Sequence, residues 1–186
     1  MPIYFFLFML LAMAVSPASL HAQRMSDLPA SSGSKPATSA PAAVQKFGAW
    51  QLECAKTNKA AKKLCMLRIV GKDPETQKRI FAIAIIHRPD GRRIMRMAMP
   101  LGVHLMAPNH LTVDTNKTWK WRLPITHCLP DGCHVVMPWD EKIEQAFKKG
   151  VEGKITVLMF TKRAVNMPFP LKGFSKGMQA LNKAIR

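Results

Sequence analysis

Acidic side chains are scarce: 11 Asp and Glu stand against 28 Lys and Arg, a formal net charge of +17. The shortage works against chemistries built on paired carboxylates, such as glycoside hydrolysis, and against oxygen-lined cages for hard cations. Asp114 falls in a strand-like stretch and Asp131 in a turn, and neither has a neighbour in sequence that would tune it. A glycine-rich phosphate loop is also missing. The apolar run from Ile3 to Val15 is thirteen residues long, whereas a membrane-spanning helix needs about 20. What remains open to the chain is a cationic, non-spanning domain.

That run, followed by Ser16-Pro17-Ala18 and Ser19-Leu20-His21-Ala22, reads as a secretory signal peptide over residues 1–22, with cleavage after Ala18 or after Ala22. No Lys or Arg precedes it, so the α-amino group supplies the positive charge of the leader. Export to the periplasm, the cell surface or the extracellular space is expected, with no transmembrane anchor after cleavage. Four cysteines in an exported chain of 186 residues are most simply two disulfides. Of the three connectivities, Cys54 with Cys65 and Cys128 with Cys133 is the economical one.

Residues 23–45 are rich in Ser, Ala and Pro and read as a flexible tether, leaving residues 46–186 as the folded domain. Within it, apolar residues recur with period two, the repeat of a half-buried strand. Trp50, Leu52 and Cys54 form one such set; Cys65, Leu67 and Ile69 a second; Phe81, Ile83 and Ile85 centre a third. Further sets are Met95, Met97 and Met99; Val103 and Leu105; Leu111 and Val113; Trp119, Trp121 and Leu123; Val135 to Met137; and Ile155 to Phe160. Turn chemistry separates them at Arg88-Pro89-Asp90-Gly91 and Leu129-Pro130-Asp131-Gly132. Two helices are predicted. One lies near residues 139–149, with Trp139, Ile143, Ala146 and Phe147 on one face and Gly150 as its stop. The other is C-terminal, with Met178, Leu181 and Ile185 on one stripe. Many short strands with two helices predict a mainly β sandwich or barrel.

Three motifs carry chemistry worth weighing. His127-Cys128 and Cys133-His134 offer soft ligands, but adjacent strand residues point to opposite faces, so each His turns away from its Cys, and export favours a disulfide. Met95, Met97 and Met99, with His104 and Met106 nearby, are thioether and imidazole ligands suited to Cu(I). A periplasmic Met/His copper-binding protein is therefore the competing reading; it needs those methionines exposed, whereas a strand core needs them buried. Gly173-Phe174-Ser175-Lys176-Gly177 matches the nucleophile-elbow pattern, yet residues 176–186 hold neither the acid nor the histidine that must follow it. Ser175 reads instead as a helix N-cap. Asn116-Lys117-Thr118 is a glycosylation sequon, a weak signal by itself.

The basic residues form three sequence groups: Lys56, Lys59, Lys62 and Lys63 between the first two cysteines; Arg88, Arg92, Arg93 and Arg96 about the Pro-Asp-Gly turn; and Lys172, Lys176 and Lys183 near the end. In an exported protein these suit anionic envelope or host-surface groups rather than a specific nucleic acid. The first two groups are the candidate anionic-partner residues; the alternative is a charged face that only aids solubility.

Several strings, taken in order, resemble the invasion-associated locus B family over about residues 46–186. They are Phe47-Gly48-x-Trp50-x-Leu52-x-Cys54, Cys65, Met99-Pro100-Leu101-Gly102-Val103, Asp114, the Cys128-Leu129-Pro130-Asp131-Gly132-Cys133 hairpin and Leu171-Lys172-Gly173-Phe174. The resemblance implies an exported protein with an immunoglobulin-like antiparallel β-sandwich, no cofactor, no catalytic residue set and no enzymatic activity. Some relatives are linked to host-cell entry. The basic character and Pro168-Phe169-Pro170 depart from the family pattern and leave the partner unidentified.

Overall fold

The structure, a computed structural model, describes residues 44–56, 63–88, 90–114 and 119–185. The expected signal peptide, nearly all of the expected tether and the Asn116 sequon lie outside the described residues. Strand β1 (Gln45–Phe47) opens the domain, so the expected tether boundary at residue 45 already belongs to a strand. It is followed by β2 (Trp50–Lys56), β3 (Lys63–Lys72), β4 (Arg79–His87) and β5 (Arg93–Met99), each pairing antiparallel with the one before it. The same sheet is completed by β9 (Gly132–Pro138) beside β5 and β8 (Ile125–Leu129) at the far edge. A second sheet has the order β11-β10-β6-β7, from β6 (His110–Asp114), β7 (Trp119–Arg122), β10 (Glu152–Leu158) and β11 (Ala164–Pro170), again all antiparallel. Helix α1 (Glu141–Lys149) and helix α2 (Phe174–Ala184) complete the antiparallel β-sandwich with two helices expected from the sequence.

The period-two pattern decides which face is buried. Trp50, Leu52, Cys65, Leu67, Phe81, Ile83, Ile85, Met95 and Met97 all turn inward from the seven-stranded sheet; Leu111, Val113, Ile155, Val157, Met167 and Phe169 meet them from the other. Both helices enter this same core. Gly177 of α2 lies so close to Leu67 that a Cβ would stand 2.7 Å from its Cδ1, and Phe147 of α1 packs edge-on to Trp50. Asp140 caps α1 by accepting from the Ile143 amide at 2.8 Å, and Glu141 and Glu144 sit in its first turn.

Three expectations need correction, and one strand was not foreseen. Met95 and Met97 are wholly buried and Met99 nearly so, which removes the exposed thioether face that the copper reading required. Val103 and Leu105 do not form a strand: Val103 makes one isolated bridge to Met159 and Leu105 is exposed. Strand β11 was hidden by Pro168 and Pro170, which cannot donate to a ladder; both are tolerated because β11 is an edge strand and they point outward, opposite the buried Met167 and Phe169. Ser175 is not the cap of α2. The cap lies two residues earlier, at Gly173 with φ 93° and no side-chain cap bond, and the helix begins at Phe174, whose ring is drawn into the core 5.0 Å from Trp50.

Candidate functional site

The arginines that cluster in sequence are separated in space. Arg92 donates to Asp90 Oδ2 from Nε and Nη2 at 3.0 and 2.8 Å, and Arg88 approaches the same oxygen at 3.3 Å, so one carboxylate offsets part of the charge of the turn. The hydrogen bonds from Arg92 hold the Asp90 carboxyl below its usual value. Arg93 lies on the inward face of β5. Its Nη1 donates to Glu144 Oε2 at 3.2 Å and its Nη2 to Asn182 Oδ1 at 2.8 Å, tying the strand to both helices. Arg96, an odd number of residues further along the strand, points to the opposite face and is exposed. Lys56 and Lys63 are direct register partners at the ends of β2 and β3; Lys59 and Lys62 lie outside the described residues.

Arg93 therefore reads as a clamp rather than a binding residue, and Glu144 is its centre. Oε2 also accepts from Trp139 Nε1 at 3.0 Å, while Oε1 meets Lys148 Nζ at 2.6 Å. Burial by itself would raise the Glu144 pKa, but the hydrogen bonds from Lys148 and Trp139 and the charges of Lys148 and Arg93 outweigh it, and the carboxyl sits below its ordinary 4.5. A depressed carboxylate contributes stability above its unfolded-state pKa and loses it as pH falls through the folded value. Glu144→Gln is expected to cost about 1.5 to 3 kcal/mol at neutral pH, the range for hydrogen bonds to charged groups. The gap to the wild type should begin to narrow below about pH 4.5 and close as pH falls through the lowered folded value. Urea titrations across pH 3 to 7 check this; a gap that stays constant with pH would remove the electrostatic account.

Arg96 is different, because of the surface around it. Reading across the strands, Arg68, Ala84, Arg96 and Val136 are successive register partners and so share the outer face of the seven-stranded sheet. The row on one side is Met66, Ile86, Ile94 and Pro138; on the other it is Val70, Ala82, Ala98 and His134. With both helices on the inner side, this is a largely apolar face among the described residues, half-exposed except at the buried Ala98 and His134, with Arg68 and Arg96 set two strands, or about 10 Å, apart. Arg68 is ion-paired to Glu53 at 2.7 Å; Arg96 has no ion pair among the described residues.

The Cys128 hairpin forms the far edge of that face. Cys54 is bonded to Cys65 and Cys128 to Cys133, each pair joining direct register partners. No free thiol is left as a ligand. The two histidines do turn away from the sulfurs and stack on each other, ring centres 5.0 Å apart. Sequence reasoning left Asp131 without partners, yet its Oδ1 meets His134 Nε2 at 3.0 Å, and Arg79 Nη2 donates to its carbonyl at 2.6 Å. The bond from His134, then that from Arg79, lowers the Asp131 pKa. The signal that could have found the first contact is the spacing Asp131-x-x-His134 across a two-residue hairpin tip. Among the described residues, no group of three or more His, Cys, Asp or Glu is placed to hold a metal ion. Ser175 has no histidine or carboxylate within hydrogen-bonding distance there, so the nucleophile-elbow match has no catalytic partner.

Comparison with known proteins fits this geometry. The crystal structure of invasion associated protein b from Bartonella henselae superposes with a TM-score of 0.68 at 22% sequence identity, covering 77% of this chain and 97% of that one. At that identity the likeness establishes the fold alone. No curated protein matches the sequence at a significant level. The model of the invasion associated locus B (IalB) protein family matches residues 50–182, from the core tryptophan of β2 to the last turns of α2, and the chain belongs to that family.

Proposed function

We propose that this chain is an exported, non-enzymatic protein of the cell envelope that binds an anionic envelope or host-surface component. Proteins of this family are exported, and two disulfides are consistent with a place outside the cytoplasm, in the periplasm or at the surface. Neither the family nor the Bartonella henselae relative is a known enzyme. The observation that carries the proposal is the open outer face of the seven-stranded sheet. There, exposed Arg96 stands beside the half-exposed Ala84, Ile86 and Ile94 and the exposed Val136, in a chain of net charge +17. Such a face suits an anionic group carried on an apolar or weakly polar body, with the charge setting approach and the apolar rows adding area. A part in host-cell invasion, which the name of the Bartonella henselae protein suggests, follows where the partner lies on the host surface.

Cosedimentation of the mature protein with isolated envelopes tests this reading. Binding is expected at low salt and should fall steeply as salt approaches about 1 M, where the screening length is only about 3 Å. Arg96→Glu should weaken it further at low salt. Binding that ignores salt, or no binding at all, would sink the electrostatic reading.

A further inference from the structure

The strings that open and close the domain, Phe47-Gly48 ahead of β2 and Leu171-Lys172-Gly173 ahead of α2, meet in space. A Cβ on Gly48 would stand 2.8 Å from the Lys172 carbonyl oxygen, and one on Gly173 only 2.1 Å from the Phe47 carbonyl oxygen. Both glycines also hold positive φ, 63° and 93°. Two main-chain segments thus cross at a separation that leaves no room for a side chain in a conformation that disfavours one. The crossing is anchored on both sides by buried rings, Trp50 and Phe174, which makes it a rigid floor.

Above that floor is a surface cavity of about 500 Å³, well within the size of small-ligand sites, roughly 300 to 1,000 Å³. Its lining includes three lysines, Lys148, Lys172 and Lys176, together with Ser175, and no Asp or Glu. Lys148 is engaged by Glu144 at 2.6 Å. Lys172 and Lys176 are exposed and have no ion pair among the described residues. Phe47 and Leu171 supply an apolar wall beside them.

We propose that this cavity binds a phosphomonoester, with the phosphate between Lys172 and Lys176 and its organic substituent against Phe47 and Leu171. The choice of ester follows from charge. A phosphomonoester carries about −1.5 to −2 at pH 7 and so matches two uncompensated ammonium groups, whereas a diester brings a single charge. Lysine suits the task because its compact, rotatable ammonium meets a tetrahedral oxyanion as a point charge, without the planar geometry that arginine requires. The inference deepens the reading that the protein meets an anionic partner, and places a selective site away from the Arg96 face.

The test uses the full mature chain and two probes of the same chemistry. Glycerol 3-phosphate, followed by calorimetry and by NMR shifts, represents a free ester; vesicles of phosphatidylcholine with phosphatidic acid represent a lipid headgroup, and phosphatidylglycerol at matched charge is the diester control. Saturable glycerol 3-phosphate binding, or a preference for phosphatidic acid over phosphatidylglycerol, is expected. Either should fall by about tenfold or more in Lys172→Gln/Lys176→Gln, as loss of two charge-assisted hydrogen bonds requires. Lys183→Gln, which removes an exposed charge from the end of the same helix, should change little, and unchanged urea midpoints confirm that the variants fold. If only the free ester binds, the source is a soluble metabolite or glycan; if only the vesicle does, it is a lipid. Absence of any monoester preference, or its survival in the double variant, overturns the site while leaving salt-sensitive envelope binding through Arg96 intact. Failure to bind glycerol 3-phosphate, any anionic vesicle or envelopes overturns both readings.

Discussion

Replacing Trp50 with alanine is expected to cost about 3 to 5 kcal/mol of stability, the range for a large aromatic deleted from a packed interior. Trp50 is fully buried on β2. It faces Phe174 of α2 with ring centres 5.0 Å apart, Phe147 of α1 at 6.2 Å and Phe169 of β11 at 6.4 Å, each edge to face. Its Nε1 donates to the Pro170 carbonyl at 3.1 Å. One side chain thus joins the seven-stranded sheet, the four-stranded sheet and both helices, and its loss leaves a cavity on all of these surfaces together with an unsatisfied carbonyl. Against a typical domain stability of about 5 to 15 kcal/mol, the variant would stand near its folding threshold. Trp50→Phe separates the contributions: it keeps most of the ring area, loses the hydrogen bond, and should cost roughly 1 to 2 kcal/mol. Urea midpoints at constant slope read both values. A loss below about 1 kcal/mol for Trp50→Ala would mean that the aromatic cluster closes around the gap, and that the helices are held by something else.

How far the sequence discloses this arrangement depends on the distance over which each feature is encoded. Strand faces are local. Leu52, Leu67, Ile83, Ile85, Met95 and Met97 occupy alternate positions, and period two alone puts them inside. The same rule, carried through the basic residues, would have separated Arg93 from Arg96, since positions three apart on a strand face opposite ways. Their nearness in sequence suggested a single cluster, and the structure instead makes one a clamp on Glu144 and Asn182 and leaves the other on the open sheet. β11 escaped notice for a different reason: Pro168 and Pro170 oppose a strand assignment unless the strand is known to lie at an edge, and edge position is a property of the whole sheet. The Lys172 and Lys176 cavity is the least local feature. Gly48 and Gly173 come from opposite ends of the domain, and nothing in either string alone says that each excludes the other's side chain.

Removing the disulfides should be as severe as removing Trp50, by an opposite route, since the bridges act chiefly on the unfolded chain. Cys54–Cys65 and Cys128–Cys133 span sequence separations of 11 and 5; closing loops of that size stabilises by roughly 2 to 3 kcal/mol each in the chain-entropy model. They staple different ends of one sheet, with β4 and β5 between β3 and β9, a separation of roughly 15 Å. Sites that far apart add, so the variant lacking all four sulfurs is expected to lose about 5 kcal/mol. Alanine is the right replacement at Cys65 and Cys133, which are buried and would strand a serine hydroxyl. Denaturation of Cys54→Ala/Cys65→Ala, of Cys128→Ala/Cys133→Ala and of the combination, beside a thiol assay on the wild type, checks each step. Because Cys128–Cys133 closes the shorter loop, its loss should cost somewhat less than that of Cys54–Cys65. If instead it costs more, the bridge is stabilising the folded hairpin itself, where Thr126 Oγ1 donates to the His134 carbonyl at 3.1 Å and Asp131 holds His134, and the entropic account fails there. The expected total also bears on compartment. A domain that owes about 5 kcal/mol to two bridges would be marginal in a reducing cytoplasm and secure once exported. Four free thiols in the exported protein, or an unchanged urea midpoint in the sulfur-free variant, would defeat that link between chemistry and location.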